Sequence, residues 1–462
     1  MAGGTKGGGE VQIEAMQLFP NTAKTIEDAR GSDKFLDLLS IYVSFSMSES
    51  VLTPFITGTL MINDSNDMIP DYPILGANIV HFKYNIKDGE SSTEREIWMR
   101  VIGIENVIIQ ERKQLFTLKL ISEEGYRNMN TVLSSSFIGE PHTIIGNIFN
   151  SSLKSTHKKL ATGPSIGGLK FVCPMWKPSQ AIKWVTNRAV SMTRDTPGYF
   201  FYESIGGFYF VSTSTLLDKE KNLVITDLMA DVENERDKGG KIKKGYLYKI
   251  PGVPVIGSDG KPQSGMVGSE TTQNVDDFRI LERQKLAKDL ISGHITSKHI
   301  THDIFHKNYT VETYNYWDDF NDYVRLSKKA HFDKPYNSVS SDINIMLSPK
   351  QSRIHSMKKD EVGFRTIYAD GTALKRKQIV KQLDDEVVEN FEAPGNPIIE
   401  CGRLLEFNYP AIRKVEGVED VYNKKYSGHY LIRDCVHMFT PIANQTATYK
   451  VDMNIVKDGW NA

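Results

Sequence analysis

The sequence predicts a mainly β fold of the α+β class, with two antiparallel β-barrels separated by a mixed α/β region. Three observations support this prediction. Apolar and polar residues alternate in short segments near both ends of the chain, which is typical of half-buried strands. Between these segments the apolar spacing changes to that of helices. The length of 462 residues also exceeds what one hydrophobic core usually organises, so two to four domains are expected.

The first barrel is predicted to span residues 35–125. Ile41, Val43 and Phe45 alternate with polar or amphipathic neighbours at a period of two. Further strands are predicted at Phe55 to Asn63, Asn78 to Tyr84, Glu96 to Glu105 and Gln114 to Ser122. Five or six antiparallel strands within about 90 residues favour a small barrel or sandwich over a βαβ sheet. Residues 1–34, which begin with a glycine-rich stretch, are predicted to be a flexible N-terminal tail.

The middle region is predicted to span residues 126–300. Apolar residues recur at helical spacing after Pro141, and a second helix is predicted to begin near Pro178, because the first helical turn tolerates proline. An aromatic hairpin follows at 199–210, with paired glycines at its turn. Aromatic residues at this density are expected to fill a core rather than to form a ligand platform.

The second barrel and the C-terminal strands are predicted to span residues 301–462. Before them, residues 236–272 are rich in Lys, Gly, Pro and Ser and predict a loop, and a helix is predicted from Asp276 to Gly293. Near the end of the chain, Val451 and Met453 alternate with charged residues, as expected for a strand with one wet face.

Composition excludes several classes of function. The formal net charge of -1 gives no general attraction to nucleic acid or to anionic membranes. The three cysteines are odd in number and far apart, so neither a disulfide framework nor a C-x-x-C metal motif is predicted. No apolar run reaches the roughly 18 residues that a membrane-spanning helix needs, so no stable membrane insertion is expected.

One histidine-rich segment, GHITSKHITHDIFH, is a candidate metal site. It contains His294, His299, His302 and His306. On a helix, His302 and His306 would share a face and could bind a metal ion. On a strand the same two residues would also share a face, and the β-branched neighbours favour the strand. Ordinary core or surface histidines are therefore the favoured interpretation.

Two short charged clusters are weaker candidates, one for calcium binding and one for nucleic-acid binding. Both are interpreted as solvated loops. They are the acidic group Asp318, Asp319 and Asp322 and the basic group Lys238, Lys241, Lys243 and Lys244. The acidic group lacks the spacing of a calcium-binding loop. No H-E-x-x-H or P-loop motif occurs in the sequence. The sequence thus predicts no enzyme, no catalytic residue, no cofactor-binding residue, no cofactor and no metal ligand.

Several segments resemble the baseplate hub proteins of T-even-type contractile phages. The stretches FVCPMWKPSQAIKWVTNRA and GYFFYESIGGFYF lie within residues 171–210. In that family a proline, a tryptophan and a second proline open a helix that carries a second tryptophan, and an aromatic hairpin with a Tyr-Glu pair follows. The matching residues here are Pro174, Trp176, Pro178, Trp184, Tyr202 and Glu203.

The resemblance extends in order from about residue 36 to residue 459. Residues 115–149 are similar to the family's strand, Ser-Phe-x-Gly and helix, and the segments YSGHYLIRDCVHMF and YKVDMNIVKDG are similar to its closing hairpin. Late control protein D and the hub part of type VI secretion spike proteins are related to the same tail-tube-like hub family.

The resemblance implies a fold and a function. Each chain would carry two tail-tube-like barrels, and a homotrimer would form a ring that adapts the hexameric tail tube, or a tube-initiator protein, to a separate trimeric central spike protein. Other baseplate proteins would be partners, and nucleic acid would only pass through the ring lumen. The expected location is the tail baseplate of the virion, after assembly in the host cytoplasm. The alternatives are the hub of a non-phage contractile injection system and a baseplate-borne cell-wall hydrolase.

Overall fold

The structure is a computed structural model. It describes residues 9–65, 76–88, 91–110, 113–192, 196–219, 248–251, 277–282, 295–303, 307–318, 320–329, 345–349, 386–396, 399–409, 423–443 and 445–459, together with the single residues 72, 74, 221, 222, 291 and 383.

Strands dominate the described residues, which confirms the predicted mainly β, α+β fold class. The strands, in chain order, are β1 (Glu10–Phe19), β2 (Leu36–Asp37), β3 (Tyr42–Ser50), β4 (Thr57–Asp64), β5 (Ile79–Asp88), β6 (Ser91–Gln110), β7 (Lys113–Ser122), β8 (Ser136–Gly139), β9 (Leu160–Thr162), β10 (Ser165–Ile166), β11 (Leu169–Val172), β12 (Val190–Ser191), β13 (Tyr199–Glu203), β14 (Phe208–Ser212), β15 (Tyr248–Pro251), β16 (Asp277–Glu282), β17 (Thr296–Asp303), β18 (Asn308–Asn315), β19 (Ile345–Pro349), β20 (Glu386–Pro394), β21 (Leu404–Asn408), β22 (Gly428–Ala443) and β23 (Thr446–Lys457). The α-helices are α1 (Ile26–Arg30), α2 (Glu123–Asn130), α3 (Pro141–Ile148), α4 (Pro178–Thr186) and α5 (Thr213–Leu217), with a π-helical turn at Phe149–Leu153 and a 3-10 turn at Phe320–Asp322.

Eight antiparallel strands close into a barrel. The order around the ring is β1, β5, β6, β7, β4, β3, β22 and β23, and β23 pairs again with β1. Closure removes the exposed edges that an open sheet would leave along the ring. The barrel therefore combines strands from the first 122 residues with the final hairpin of the chain.

The final hairpin also belongs to a second sheet. The first part of β22 pairs with β21, which pairs with β15, while β23 pairs along most of its length with β20, which pairs with β16. The resulting order is β15-β21-β22-β23-β20-β16, and this sheet stays open within the described residues. We call the barrel and this second sheet the two β units. One core cluster runs through both of them, so the hairpin joins them without a linker.

The middle region packs on the barrel through an aromatic hairpin. In β13 and β14, Phe201 and Phe208 pack into the core of α3 and α4, whereas Tyr202 and Tyr209 pack into the barrel core. Both faces of the hairpin are buried, which explains why its sequence is aromatic throughout rather than alternating. The predicted hairpin, the predicted core-filling role and the predicted helices after Pro141 and at Pro178 are confirmed.

Residues 1–34 are only partly as predicted. Residues 1–8 lie outside the described residues, but Glu10–Phe19 is a barrel strand and not a flexible tail. Its apolar alternation changes phase between Ile13 and Ala15, where a bulge lets first Val11 and Ile13 and then Met16 and Leu18 point inward. Because the bulge interrupts the alternation of apolar and polar residues, the sequence pattern did not predict this strand.

The predicted boundaries after residue 235 also need correction. Asp277–Glu282, assigned to a helix, is a strand paired with β20, and the predicted loop at 236–272 contains β15. Pairing within the larger sheet outweighs the local apolar spacing in the first case and the Lys/Gly/Pro composition in the second. The other residues of both segments lie outside the described chain, apart from Ile291. The second β unit is not confined to 301–462 either, because its closing hairpin is shared with the barrel.

Candidate functional site

The turn that joins β13 to β14 is where the barrel, the middle region and the second β unit meet. Ser204 and Gly207 exchange backbone hydrogen bonds across the turn, at N–O distances of 2.8 and 3.2 Å. Gly207 has φ 153°, a conformation that glycine adopts readily. Three buried carboxylates surround this turn and contribute most of its polar contacts.

The first carboxylate is that of Glu203, at the end of β13. Its Oε2 accepts hydrogen bonds from the Ser122 hydroxyl at 2.6 Å and from the Ile56 backbone N–H at 3.0 Å. Its Oε1 lies 2.7 Å from the Lys158 Nζ. Burial raises the pKa of Glu203, while Lys158 and Ser122 act in the opposite direction. Glu203 thereby connects the aromatic hairpin to the barrel wall.

The second carboxylate is that of Glu49, on β3. Its Oε1 accepts the Ile205 N–H at 2.9 Å, and its Oε2 accepts the Cys401 N–H at 3.0 Å. Burial would raise the pKa of this carboxyl, but His437 and the Cys401 N–H outweigh burial, and the pKa lies below its usual 4.5. Glu49 thus links the barrel to the hairpin turn and to the segment before β21.

The third carboxylate is that of Glu400. Its Oε2 accepts the Ser204 hydroxyl at 2.6 Å and the Gly206 N–H at 3.1 Å, and its Oε1 accepts the Arg403 Nε–H at 2.7 Å. Each of the three carboxylates is satisfied by donors from separate parts of the chain. Buried networks that are fully hydrogen-bonded rigidify a core, whereas removal of one partner is costly. The arrangement is therefore a rigid joint between the β units and the middle region.

An exposed apolar surface lies on the far half of β6. Residues 91–100 of β6 pair with β5, but the pairing with β7 continues to Gln110. Within the described residues, no strand pairs with the other edge of β6 beyond Val101. The exposed apolar side chains here are Ile102, Ile104, Val107, Ile108 and Ile109, and Ile109 is 69% exposed. An open strand edge with apolar side chains is a site for association with another chain.

The predicted histidine cluster lies partly outside the described residues. His294 and His306 fall there, while His299 and His302 are on β17, which pairs with β18 and β19. His299 is buried. The favoured strand is therefore confirmed, although no ligand role is tested.

The two charged clusters are also only partly described. In the acidic cluster, Asp318 is exposed and Phe320–Asp322 is a 3-10 turn, while Asp319 is not described. The basic cluster at 238–244 is outside the described residues. The sequence did not reveal the carboxylate joint, because its contacts join distant residues: Glu49 and the Cys401 N–H that it accepts are 352 residues apart. The family resemblance marked only Glu203.

Comparisons with known proteins find sequence similarity to a probable phage baseplate hub protein and likeness to solved tail-protein structures. No family model matches the chain. In sequence, the chain is similar to the probable baseplate hub protein gp334 of Vibrio phage KVP40, with 21% identity over 415 residues, covering 84% of this chain and 85% of that protein. This finding confirms the predicted resemblance to phage baseplate hub proteins.

Solved structures of similar extent include two tail proteins. One is the tail protein from Neisseria meningitidis MC58, with a TM-score of 0.48, 8% identity and 97% coverage of both chains. The other is the 43 kDa tail protein of prophage MuSo2 from Shewanella oneidensis, with a TM-score of 0.46, 9% identity and coverage of 96% of this chain and 98% of that chain.

None of the helices in the described part of the chain has the length and apolar character needed to cross a membrane.

Proposed function

We propose that the chain is a non-enzymatic baseplate hub of a contractile phage tail, located in the virion after assembly in the host cytoplasm. Three copies form a ring that adapts a hexameric tail tube to a separate trimeric central spike. The observation that supports this proposal best is the final hairpin, which belongs at once to a closed barrel and to a second sheet. A chain with two coupled β units gives six such units in a trimer, which suits a sixfold partner on one side and a threefold partner on the other.

The open edge of β6 supports association of this chain with further copies of itself. In a closed ring each chain contributes two different patches, one to each neighbour. An apolar strand edge can pair with a strand of the next chain through backbone hydrogen bonds, while its side chains are buried in the contact. We assign residues 102–110 of β6 to one side of the ring contact on this basis.

Mass photometry of the purified full-length protein tests the trimer directly. We expect a species of three chains that persists on dilution. The Ile109→Asp substitution places a charge on the proposed contact and is expected to shift the population to monomers. Ile138→Asp is the matched control, because Ile138 is also exposed but lies on β8 of the middle region. A wild-type protein that is monomeric at all concentrations would contradict the trimer.

The absence of catalysis is part of the proposal. Glu49, Cys435 and His437 form a set that resembles a nucleophile with its base, but relative exposures of 2%, 1% and 0% leave no approach for a polymeric substrate such as peptidoglycan. A zymogram on purified peptidoglycan, with divalent metal added and with metal chelated, is expected to show no clearing. Clearing that disappears in a Glu49→Gln variant would instead identify a hydrolase.

A further inference from the structure

Three buried side chains with metal-binding atoms converge inside the barrel wall. Glu49 is on β3, and Cys435 and His437 lie on the same face of the neighbouring strand β22. The Cys435 Sγ is 3.5 Å from His437 Nε2 and 3.6 Å from Glu49 Oε2. His437 Nε2 is 3.4 Å from Glu49 Oε1. The three donor types, thiol, imidazole and carboxylate, thus share one small volume.

These separations fit a tetrahedral metal centre. Zinc lies about 2.3 Å from a thiolate sulfur, about 2.0 Å from an imidazole nitrogen and about 2.0 Å from a carboxylate oxygen. With tetrahedral angles, ligand atoms at those bond lengths are roughly 3.3 to 3.6 Å from one another. The sulfur–nitrogen separation of 3.5 Å falls in this interval. The thiol and the imidazole each lie at such a distance from one oxygen of the Glu49 carboxylate, the thiol 3.6 Å from Oε2 and the imidazole 3.4 Å from Oε1. A cation between them would bind either one oxygen after a small rotation of the carboxylate or both oxygens.

The surroundings hold two of the ligands in the orientation that a metal requires. The Ile205 and Cys401 N–H groups fix the Glu49 carboxylate, and the remaining lone pairs of its two oxygens face the imidazole of His437 and the thiol of Cys435. The His437 Nδ1 is 2.8 Å from the Tyr449 hydroxyl, which leaves Nε2 directed at Cys435 and Glu49. Ligating histidines in metalloproteins are commonly held in this way through the nitrogen that does not bind the metal.

Charge balance also favours a divalent ion. One carboxylate and one thiolate neutralise a 2+ charge, while the imidazole binds in its neutral form, so the complex adds no net charge to the core. A set of one sulfur, one nitrogen and one oxygen donor suits zinc among the common divalent ions and does not suit magnesium or calcium. Binding displaces the thiol proton to solvent and forms the sulfur–metal bond, with no change in oxidation state.

We propose that Glu49, Cys435 and His437 bind a structural divalent transition-metal ion of the zinc class. The ion links β3 to β22, at the part of the final hairpin that closes the barrel. Three protein ligands leave one tetrahedral position for water. The role is structural, because the three groups are buried beyond the reach of a substrate. The site depends neither on the trimer nor on the partners of the ring.

Metal analysis of the full-length protein tests the site. After expression with zinc in the medium and exhaustive dialysis, inductively coupled plasma mass spectrometry is expected to find about one zinc per chain. Cys435→Ser and Glu49→Gln are expected to weaken zinc retention more than about tenfold. Cys173→Ser is the matched control, because Cys173 is equally buried but packs in the core of the middle region, and it is expected to retain the metal. Equal zinc in the Cys435→Ser and wild-type proteins would overturn the proposal.

A measurement on the wild-type protein alone covers the case in which the variants do not fold. Apo protein prepared with a chelator is titrated with cobalt(II). We expect the strong visible absorption of tetrahedral cobalt together with a thiolate-to-cobalt charge-transfer band, and a rise in Tm on addition of zinc. A weak octahedral spectrum without the charge-transfer band, or an unchanged Tm, would overturn the site whatever the oligomeric state of the protein.

Discussion

Lys158 and Glu203 form an ion pair of 2.7 Å in the joint between the middle region and the barrel. The side chain of Glu203 is fully buried, and that of Lys158 is 17% exposed. Lys158 also donates to the Ser204 carbonyl at 3.1 Å, so its ammonium contacts both the carboxylate and the hairpin turn. The pair is therefore part of the network that fixes the aromatic hairpin against the strands.

Lys158→Met is expected to destabilise the protein by about 3 to 5 kcal/mol near neutral pH, because it leaves a buried carboxylate without its cation. Adding Glu203→Gln to this variant should recover part of the loss, since the uncompensated charge is then gone. Urea denaturation followed by circular dichroism measures both effects. Lys159→Met, at the exposed neighbouring position, is the control and should change stability by less than about 0.5 kcal/mol. A double variant less stable than Lys158→Met would contradict the role of charge.

His157 predicts a specific dependence of stability on pH. Burial, assisted by the positive charge of Lys158, lowers its pKa from 6.5 to about 4. Between these two values the unfolded chain binds a proton that the folded chain does not, so stability is lost as the pH falls from 6.5 towards 4. The difference corresponds to roughly 3 kcal/mol.

The neighbouring Glu124 opposes this trend, because burial raises its pKa and the folded chain then retains a proton that the unfolded chain loses. The contribution of His157 is therefore isolated by comparing the wild type with His157→Asn. Urea midpoints measured between pH 4 and 7 should fall more steeply on acidification for the wild type than for the variant. Parallel pH profiles for the two proteins would show that the imidazole is not held neutral.

Two glycines predict opposite effects of the same substitution. Gly402 has φ +84°, and an added Cβ would collide with the Tyr202 hydroxyl. Gly402→Ala should cost about 2 to 5 kcal/mol, from the left-handed backbone and from overpacking. Gly146 is inside α3 with open space at its Cβ position, and Gly146→Ala should stabilise by about 0.5 to 1 kcal/mol. Differential scanning calorimetry of both variants checks the signs, and a gain in Tm for Gly402→Ala would refute the tight contact with Tyr202.

The sequence correctly predicted those elements that depend on residues close together in the chain. The helices at Pro141 and Pro178 and the hairpin at 199–210 follow from apolar spacing, proline placement and paired glycines, all of which act over a few residues. The Glu49, Cys435 and His437 cluster could not be anticipated in this way. Only strand pairing between β3 and β22 brings together residues 386 positions apart, and a single sequence carries no signal for that pairing. For the same reason, the sequence did not predict that the final hairpin belongs to both the barrel and the second sheet.

Because the final hairpin belongs to both β units, the structure predicts how the protein unfolds. Val451 is fully buried on β23, opposite β20 on one side and β22 on the other. Val451→Asp places a carboxylate in the core that both β units share, and should destabilise by more than about 4 kcal/mol. Ile442→Asp, on the same hairpin but 57% exposed, is the control and should stay within about 0.5 kcal/mol of the wild type.

The shared core also means that neither β unit keeps its contacts once the hairpin is lost. We therefore expect the calorimetric transition of Val451→Asp to move to lower temperature as a single peak. The Met47 methyl resonance in the barrel and the Phe407 ring resonances in the second sheet should broaden together on heating, because both side chains belong to the one buried cluster. Two separated peaks, with the barrel melting at its wild-type temperature, would mean that the hairpin stabilises only the second sheet and that the two units are independent domains.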